Sequence, residues 1–123
     1  MINDQERAFI RRINRTRLLH GLPRLKHAPD QVFINAQRHS KKMLAENRLY
    51  HSDPLSTAVE GVDVWKVARE NVGVGLSVRS LHRAFMASEY HRQNILARDV
   101  SKVAVGIAFG DEGQLWVTVI LYG

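Results

Sequence analysis

The stretch that most constrains this chain is its last ten residues, Gln-Leu-Trp-Val-Thr-Val-Ile-Leu-Tyr-Gly. From Leu115 to Tyr122 it is apolar in both alternating registers, so a strand built from it must be covered on both faces. The segment before it, Lys-Val-Ala-Val-Gly-Ile-Ala-Phe-Gly, behaves differently. Val103, Val105, Ile107 and Phe109 alternate with small residues, so one face is bulky and the other admits a close neighbour. Gly-Asp-Glu-Gly at 110–113 supplies a turn, and the two strands are expected to form an antiparallel hairpin. A hairpin of this kind cannot stand in water. It requires helices above and below.

The rest of the chain supplies them. A first helix is expected from about Asp4 to His20, opened by a capping box of Asn3 and Glu6 and stopped by Gly21. Ala8, Phe9, Ile13 and Thr16 form its inward stripe. Leu-Pro-Arg-Leu-Lys-His follows as a short extended link. A second helix begins near Pro29 and ends near Arg48, with Phe33, Ala36, Ser40, Met43 and Leu44 at helical spacing. Residues Tyr50 to Val64 are irregular. Val67 to Val74 reads as a strand weakened by glycines. Ser77 caps a third helix with Val78, Leu81, Ala84 and Phe85 on one face, and Ser88 is expected to cap a short fourth one. The predicted fold is α+β: a single domain over residues 1–123, a three-layer α-β-α sandwich around a small, mostly antiparallel sheet.

Charge and composition narrow the function. The net charge is +6 and the sequence pI is about 10.2, which reads either as an ordinary solvated basic surface or as attraction to polyanions such as anionic lipid, cell-surface polymer or nucleic acid. The densest basic group is Arg7, Arg11, Arg12, Arg15 and Arg17 in the first helix. No nucleic-acid-reading motif is present, so a nucleic-acid partner is not expected. No apolar run is long enough to span a bilayer. There is no cysteine, which removes disulfides, thiolate ligands and a thiol nucleophile. The chain opens Met-Ile-Asn-Asp-Gln-Glu, which is not a signal peptide.

The residues able to carry chemistry are His51, Glu70, Glu89 and His91, all in or beside the irregular connections, where sites are commonly built. Imidazole and carboxylate together suit zinc and similar divalent ions. Each also has a purely structural role open to it: His51 and Ser52 in a turn, Glu70 paired with Lys66 or Arg69, Glu89 at a helix N-terminus, His91 as a buried imidazole. His20, His27, His39 and His82 are expected at the surface. Ser52 lacks the Gly-x-Ser-x-Gly elbow of a hydrolase nucleophile.

Taken together, these motifs resemble the CAP-domain family (cysteine-rich secretory, antigen 5 and pathogenesis-related 1 proteins). Ile-Asn-Arg-Thr-Arg-Leu-Leu-His-Gly-Leu-Pro-Arg-Leu resembles its first-helix signature. The run from Ala36 to Ser52 resembles its second helix and the following His-Ser, and Val67 to Gly75 its Glu-Asn segment. Phe85 to Leu96 is similar to the bacterial Trp-Met-x-Ser-x-x-His-Arg-x-Asn-Ile-Leu pattern, and the closing hairpin also matches. The resemblance implies an α-β-α sandwich with a cleft containing two histidines and two acidic residues, which in some members holds zinc or another divalent ion. His51 matches the first histidine, Glu70 the first glutamate and His91 the second histidine. Phe85 stands where eukaryotic members have tryptophan. Three residues on, where they have the second glutamate, is Ser88, and Glu89 is one position later. The lack of cysteine points to the bacterial branch, secreted or cell-surface proteins whose export segment is absent from this chain.

The expected function is an extracellular cleft that binds lipid, glycan or peptide, with a divalent metal at His51, Glu70 and His91, joined by Glu89, and no organic cofactor. Two alternatives stand beside it. One is a metal-assisted hydrolase of peptide, ester or cell-wall bonds using Glu70 or Glu89 as base. The other is a non-catalytic binder of anionic lipid or cell-surface polymer.

Overall fold

The computed structural model describes residues 2–123. The closing strand β4 (Leu115–Tyr122) is buried at every position, as its doubly apolar sequence requires. It lies between β3 (Lys102–Phe109) and β2 (Ala68–Gly75), antiparallel to both. A two-residue strand β1 (Lys26–His27) joins the free edge of β3 in parallel, giving the order β1-β3-β4-β2. The expected extended link is therefore part of the sheet, held by Lys26 N to Ser101 O and Ala28 N to Val103 O, both 2.9 Å. Both its side chains are exposed, so it carries no apolar alternation by which a strand is recognised.

Among the described residues four α-helices cover this mixed sheet, α1 (Asp4–Leu19), α2 (Asp30–Glu46), α3 (Val78–Ala87) and α4 (Glu89–Ile95), and a short 3-10 helix spans Leu55–Val59. Register assigns the faces. Ala104, Gly106 and Ala108 on β3 stand with Ile120, Thr118 and Trp116 on β4 and with Glu70, Val72 and Val74 on β2. This is the face on which α2 packs. A Cβ at Gly106 would collide with the Ala36 carbonyl carbon and the Gln37 nitrogen, so the small-residue face of β3 exists to let the α2 backbone sit directly upon it. Ser40, buried in α2, donates to Gly106 O at 2.8 Å and meets Thr118 Oγ1 at 2.8 Å. The opposite face takes α1, α3 and α4, with Phe85 and Leu81 against Gly73.

Three side chains differ from expectation in ways that matter for the site. Glu6 forms the predicted capping box with Asn3, but it is also fully buried and accepts from Ile107 N at 2.9 Å and from Gln37 Nε2 at 3.2 Å. One carboxylate thus ties α1, α2 and the edge of β3 together. Arg17 is not part of the surface charge. It is 1 % exposed, and donates to Pro23 O, Ile95 O and Ala97 O at 3.0, 2.9 and 2.7 Å, satisfying carbonyls left open at the end of α4. Its burial lowers its pKa. His82, expected at the surface, is buried, 3.2 Å from Thr16 Oγ1 and edge-on to Phe9. The inward stripe of α3 is Val78, Leu81, His82 and Phe85, an i, i+3, i+4, i+7 pattern. Ala84 faces out.

Candidate functional site

The edge strand β2 places two consecutive polar residues on opposite faces, as strand geometry demands. Glu70 points to the side of α2, and Asn71 to the side of α3 and α4. Both are buried, and each organises a different half of the site.

The Glu70 carboxylate receives three hydrogen bonds from the loop that follows α2. Ser52 N donates to Oε1 at 2.8 Å, His51 Nδ1 to Oε1 at 2.9 Å, and Ser52 Oγ to Oε2 at 2.5 Å. A carboxylate accepts only, so His51 Nδ1 carries a proton here, and in the neutral ring Nε2 is the lone-pair donor. The His51 side chain is 44 % exposed while that of Glu70 is 0 % exposed. The imidazole is thus oriented from beneath by a dry anion and presented to solvent. The expected partners of Glu70, Lys66 and Arg69, are not used: Arg69 forms a two-pronged pair with Asp99, at 3.0 and 2.9 Å.

The other half hangs on Asn71. Its Nδ2 donates to His91 O at 3.0 Å, and Asn94 Nδ2 donates back to Asn71 Oδ1 at 2.8 Å. Asn94 Oδ1 accepts from Arg69 at 3.2 Å. These bonds clamp α4 to β2. His91 lies stacked on Phe85, ring centroids 4.8 Å apart, with Nδ1 2.8 Å from Ser88 Oγ. Ser88 does precede α4 at the cap position, but its hydroxyl serves His91 and caps no backbone N–H. The pKa of His91 is lowered, first by burial and then by the neighbouring His51.

Tyr90, which carried no expectation, stands between the two imidazoles. Its ring is edge-on to His51 (centroids 5.8 Å apart) and to His91 (5.3 Å), and its hydroxyl is 3.5 Å from His51 Nε2. Asn71, Asn94 and Tyr90 are the residues that reasoning on chemistry alone passed over. Two of them lie in the Glu-Asn and His-Arg-x-Asn motifs, which was the available signal.

Three of the four candidates therefore converge: His51 and Glu70 directly, and His91 through Tyr90. Glu89 is placed elsewhere. It is the exposed first residue of α4, and its carboxylate accepts from Gln93 at 3.2 Å. Glu70 has both oxygens engaged, so its chemical role is to orient His51, as carboxylates behind metal-binding imidazoles do. Among the described residues no group of three or more His, Asp or Glu side chains is disposed to hold a metal. The side chains here whose nitrogens could face a cation are the two imidazoles, one short of the three protein ligands of an open zinc site.

Beside His51, on the α2 side, is a cavity of about 310 Å³. Its walls include Arg38, His39 and Lys42 from α2, and Ser52, Asp53 and Glu60 from the loop. His39 Nε2 donates to Tyr50 O at 2.6 Å, which fixes the start of that loop against α2. The volume is at the lower end of small-ligand pockets, and the lining is polar and charged of both signs.

Comparison with known proteins follows the same outline. The model of the cysteine-rich secretory protein family, CAP, matches residues 10–122. No curated protein matches the chain by sequence. Among solved structures, an outer surface protein of Borrelia burgdorferi superposes with a TM-score of 0.85 at 15% identity, covering 94% of this chain and 90% of its own. An extracellular SCP-domain protein of Bacillus anthracis gives 0.84 at 24% identity over 96% of this chain. A cysteine-rich secretory protein of Staphylococcus aureus gives 0.78 at 21% identity over 97%. The chain spans only 40% and 38% of the last two. At these identities the likeness establishes a shared fold.

Proposed function

The chain belongs to the cysteine-rich secretory protein (CAP) family, and we propose that it acts outside the cell as a binding domain for a polar ligand, glycan or peptide, seated beside His51. The observation that carries this reading is the triply bonded Glu70 carboxylate, which holds His51 in one tautomer with Nε2 directed away from the core. One of these bonds orients the exposed ring and the other two fix the adjoining Ser52, so the buried anion holds both the ring and the backbone that presents it. The mixed-charge walls of the adjoining cavity favour hydroxyl, amide and carboxylate groups over an acyl chain. Placement outside the cell is supported by the extracellular and outer-surface proteins that share the fold.

The same arrangement supports a divalent cation, zinc by donor type, held by the Nε2 atoms of His51 and His91 with Glu70 behind the first. When bound, such an ion would supply a Lewis-acidic contact for a ligand oxygen. Glu70 is poorly placed as general base for a hydrolase, because both its oxygens are already occupied by Ser52 and His51.

Calorimetric titration of chelator-stripped protein with zinc chloride tests the cation. We expect exchangeable binding that is lost in His51→Ala and His91→Ala and weakened about tenfold or more in Glu70→Gln. Equal binding by the wild type and the doubly substituted protein would exclude the imidazole pair.

A further inference from the structure

Between α1 and the Leu22–His27 segment lies a second cavity, of about 500 Å³, lined by none of the residues around His51. One wall is α1, with Arg7, Arg11 and Arg15; the other is the Leu22–His27 segment, with Arg24. All four arginines are exposed. Asn14 fixes the distance between the walls, since its side chain both donates to Leu25 O (3.1 Å) and accepts from Leu25 N (2.8 Å). The groove is thus built by tertiary bonds and is not an accident of side-chain posture.

Its charge is uncompensated. The ion pairs among the described residues are Arg48–Glu46, His51–Glu70 and Arg69–Asp99. None involves a groove arginine, and no acidic residue lines the cavity. Four guanidinium groups facing one concavity repel one another unless an anion enters. Arg7, Arg11 and Arg15 recur every four residues, a rise of about 6 Å each. That spacing is on the scale at which a polymer with three carbons between successive phosphates repeats its charge. A single small anion would meet one or two of these groups, whereas a thread of phosphodiesters meets all of them.

We propose that this groove binds a linear, base-free phosphodiester polymer of the poly(glycerol phosphate) class, its phosphates seated on Arg7, Arg11, Arg15 and Arg24. A lipid bilayer fits less well, because the cationic surface is concave and, of its two apolar lining residues, Ile10 is buried and Leu18 alone is exposed. Single-stranded nucleic acid fits less well because no Phe, Tyr or Trp lines the groove to stack a base.

The test is fluorescence anisotropy with an end-labelled poly(glycerol phosphate) oligomer, titrated from about 50 to about 200 mM salt. Four neutralised phosphates predict a slope of log K against log salt of about −3. Replacing Arg7, Arg11, Arg15 and Arg24 by Gln should weaken binding by about tenfold or more and flatten the slope. A control with the same charge change at exposed positions outside the groove (Lys41, Arg79, Arg83 and Arg98 to Gln) should bind nearly as the wild type does. Circular dichroism checks that both variants fold. His51→Ala should leave polymer binding unchanged, which separates this site from the cleft. Equal losses in the groove and control variants would reduce the effect to net charge and overturn the proposal. So would tighter binding of labelled oligothymidylate, or of phosphatidylglycerol vesicles, than of the polymer, or loss of polymer binding in His51→Ala.

Discussion

Truncating Glu70 should be far more damaging than truncating the histidine it holds. Glu70→Ala removes the acceptor of three hydrogen bonds inside a site where the carboxylate is wholly buried. It strands the Ser52 N–H and hydroxyl and leaves a cavity. Two stranded donors at about 1–3 kcal/mol each, together with the cavity, put the cost at about 3–5 kcal/mol, against a total stability of about 5–15 kcal/mol for a domain like this one. Glu70→Gln preserves the shape. Its amide oxygen can still accept from His51 and Ser52 N, and its amide nitrogen can donate to the Ser52 hydroxyl in the reverse sense, so the cost falls to about 1–2 kcal/mol. His51→Ala removes a ring already 44 % exposed and leaves Ser52 on the carboxylate, for about 1 kcal/mol. Urea unfolding followed by tryptophan fluorescence, with the buried Trp116 as reporter, measures all three. The order should be Ala far worse than Gln, and Gln close to His51→Ala. If Glu70→Ala and His51→Ala unfold at the same midpoint, the carboxylate is not the keystone described here. Equal damage from Gln and Ala would mean that charge, and not hydrogen-bond geometry, holds the loop.

Two further outcomes follow from the packing. Gly106→Ala forces α2 off the sheet, because the new methyl meets helix backbone that cannot rotate away, and should cost about 3 kcal/mol by thermal or urea unfolding. His82 has its pKa lowered by burial and then by the charge of Arg12, so the unfolded chain takes up its proton first as pH falls. Its contribution is therefore intact above the ordinary histidine pKa of about 6.5 and is lost as pH drops through the lower folded value. Wild type should lose melting temperature on acidification from pH 7 to pH 5, and His82→Gln should lose less; an identical slope would remove His82 as the cause.

How much was legible in advance depends on whether the cause was local. The Asn3–Glu6 capping box, the Ser77 cap and the hairpin depend on residues a few positions apart, and all were readable. So was the meeting of His51 with Glu70, though only through the family pattern, since nineteen residues of sequence say nothing of a 2.9 Å bond. Glu89 shows the reverse. It sits beside His91 in sequence, yet the first turn of α4 turns it to solvent and to Gln93. Arg17 and His82 were misplaced for one reason: polar side chains read as surface until a fold supplies buried carbonyls and a hydroxyl to meet them.

The sequence alone determined that a doubly apolar strand must lie at the centre, that its small-faced neighbour must admit a helix, and that helices must therefore flank a sheet. Periodicity and local caps carry that information, because they act over a turn or a strand. Tertiary structure alone decided which polar groups would be buried together. Glu6 reaches Ile107 across the sheet edge, Arg17 closes α4, and Glu70 and Asn71 turn to opposite faces to hold the two halves of the cleft. Those partners are distant in sequence, and only the folded chain brings a buried polar group the hydrogen bonds without which it could not remain there.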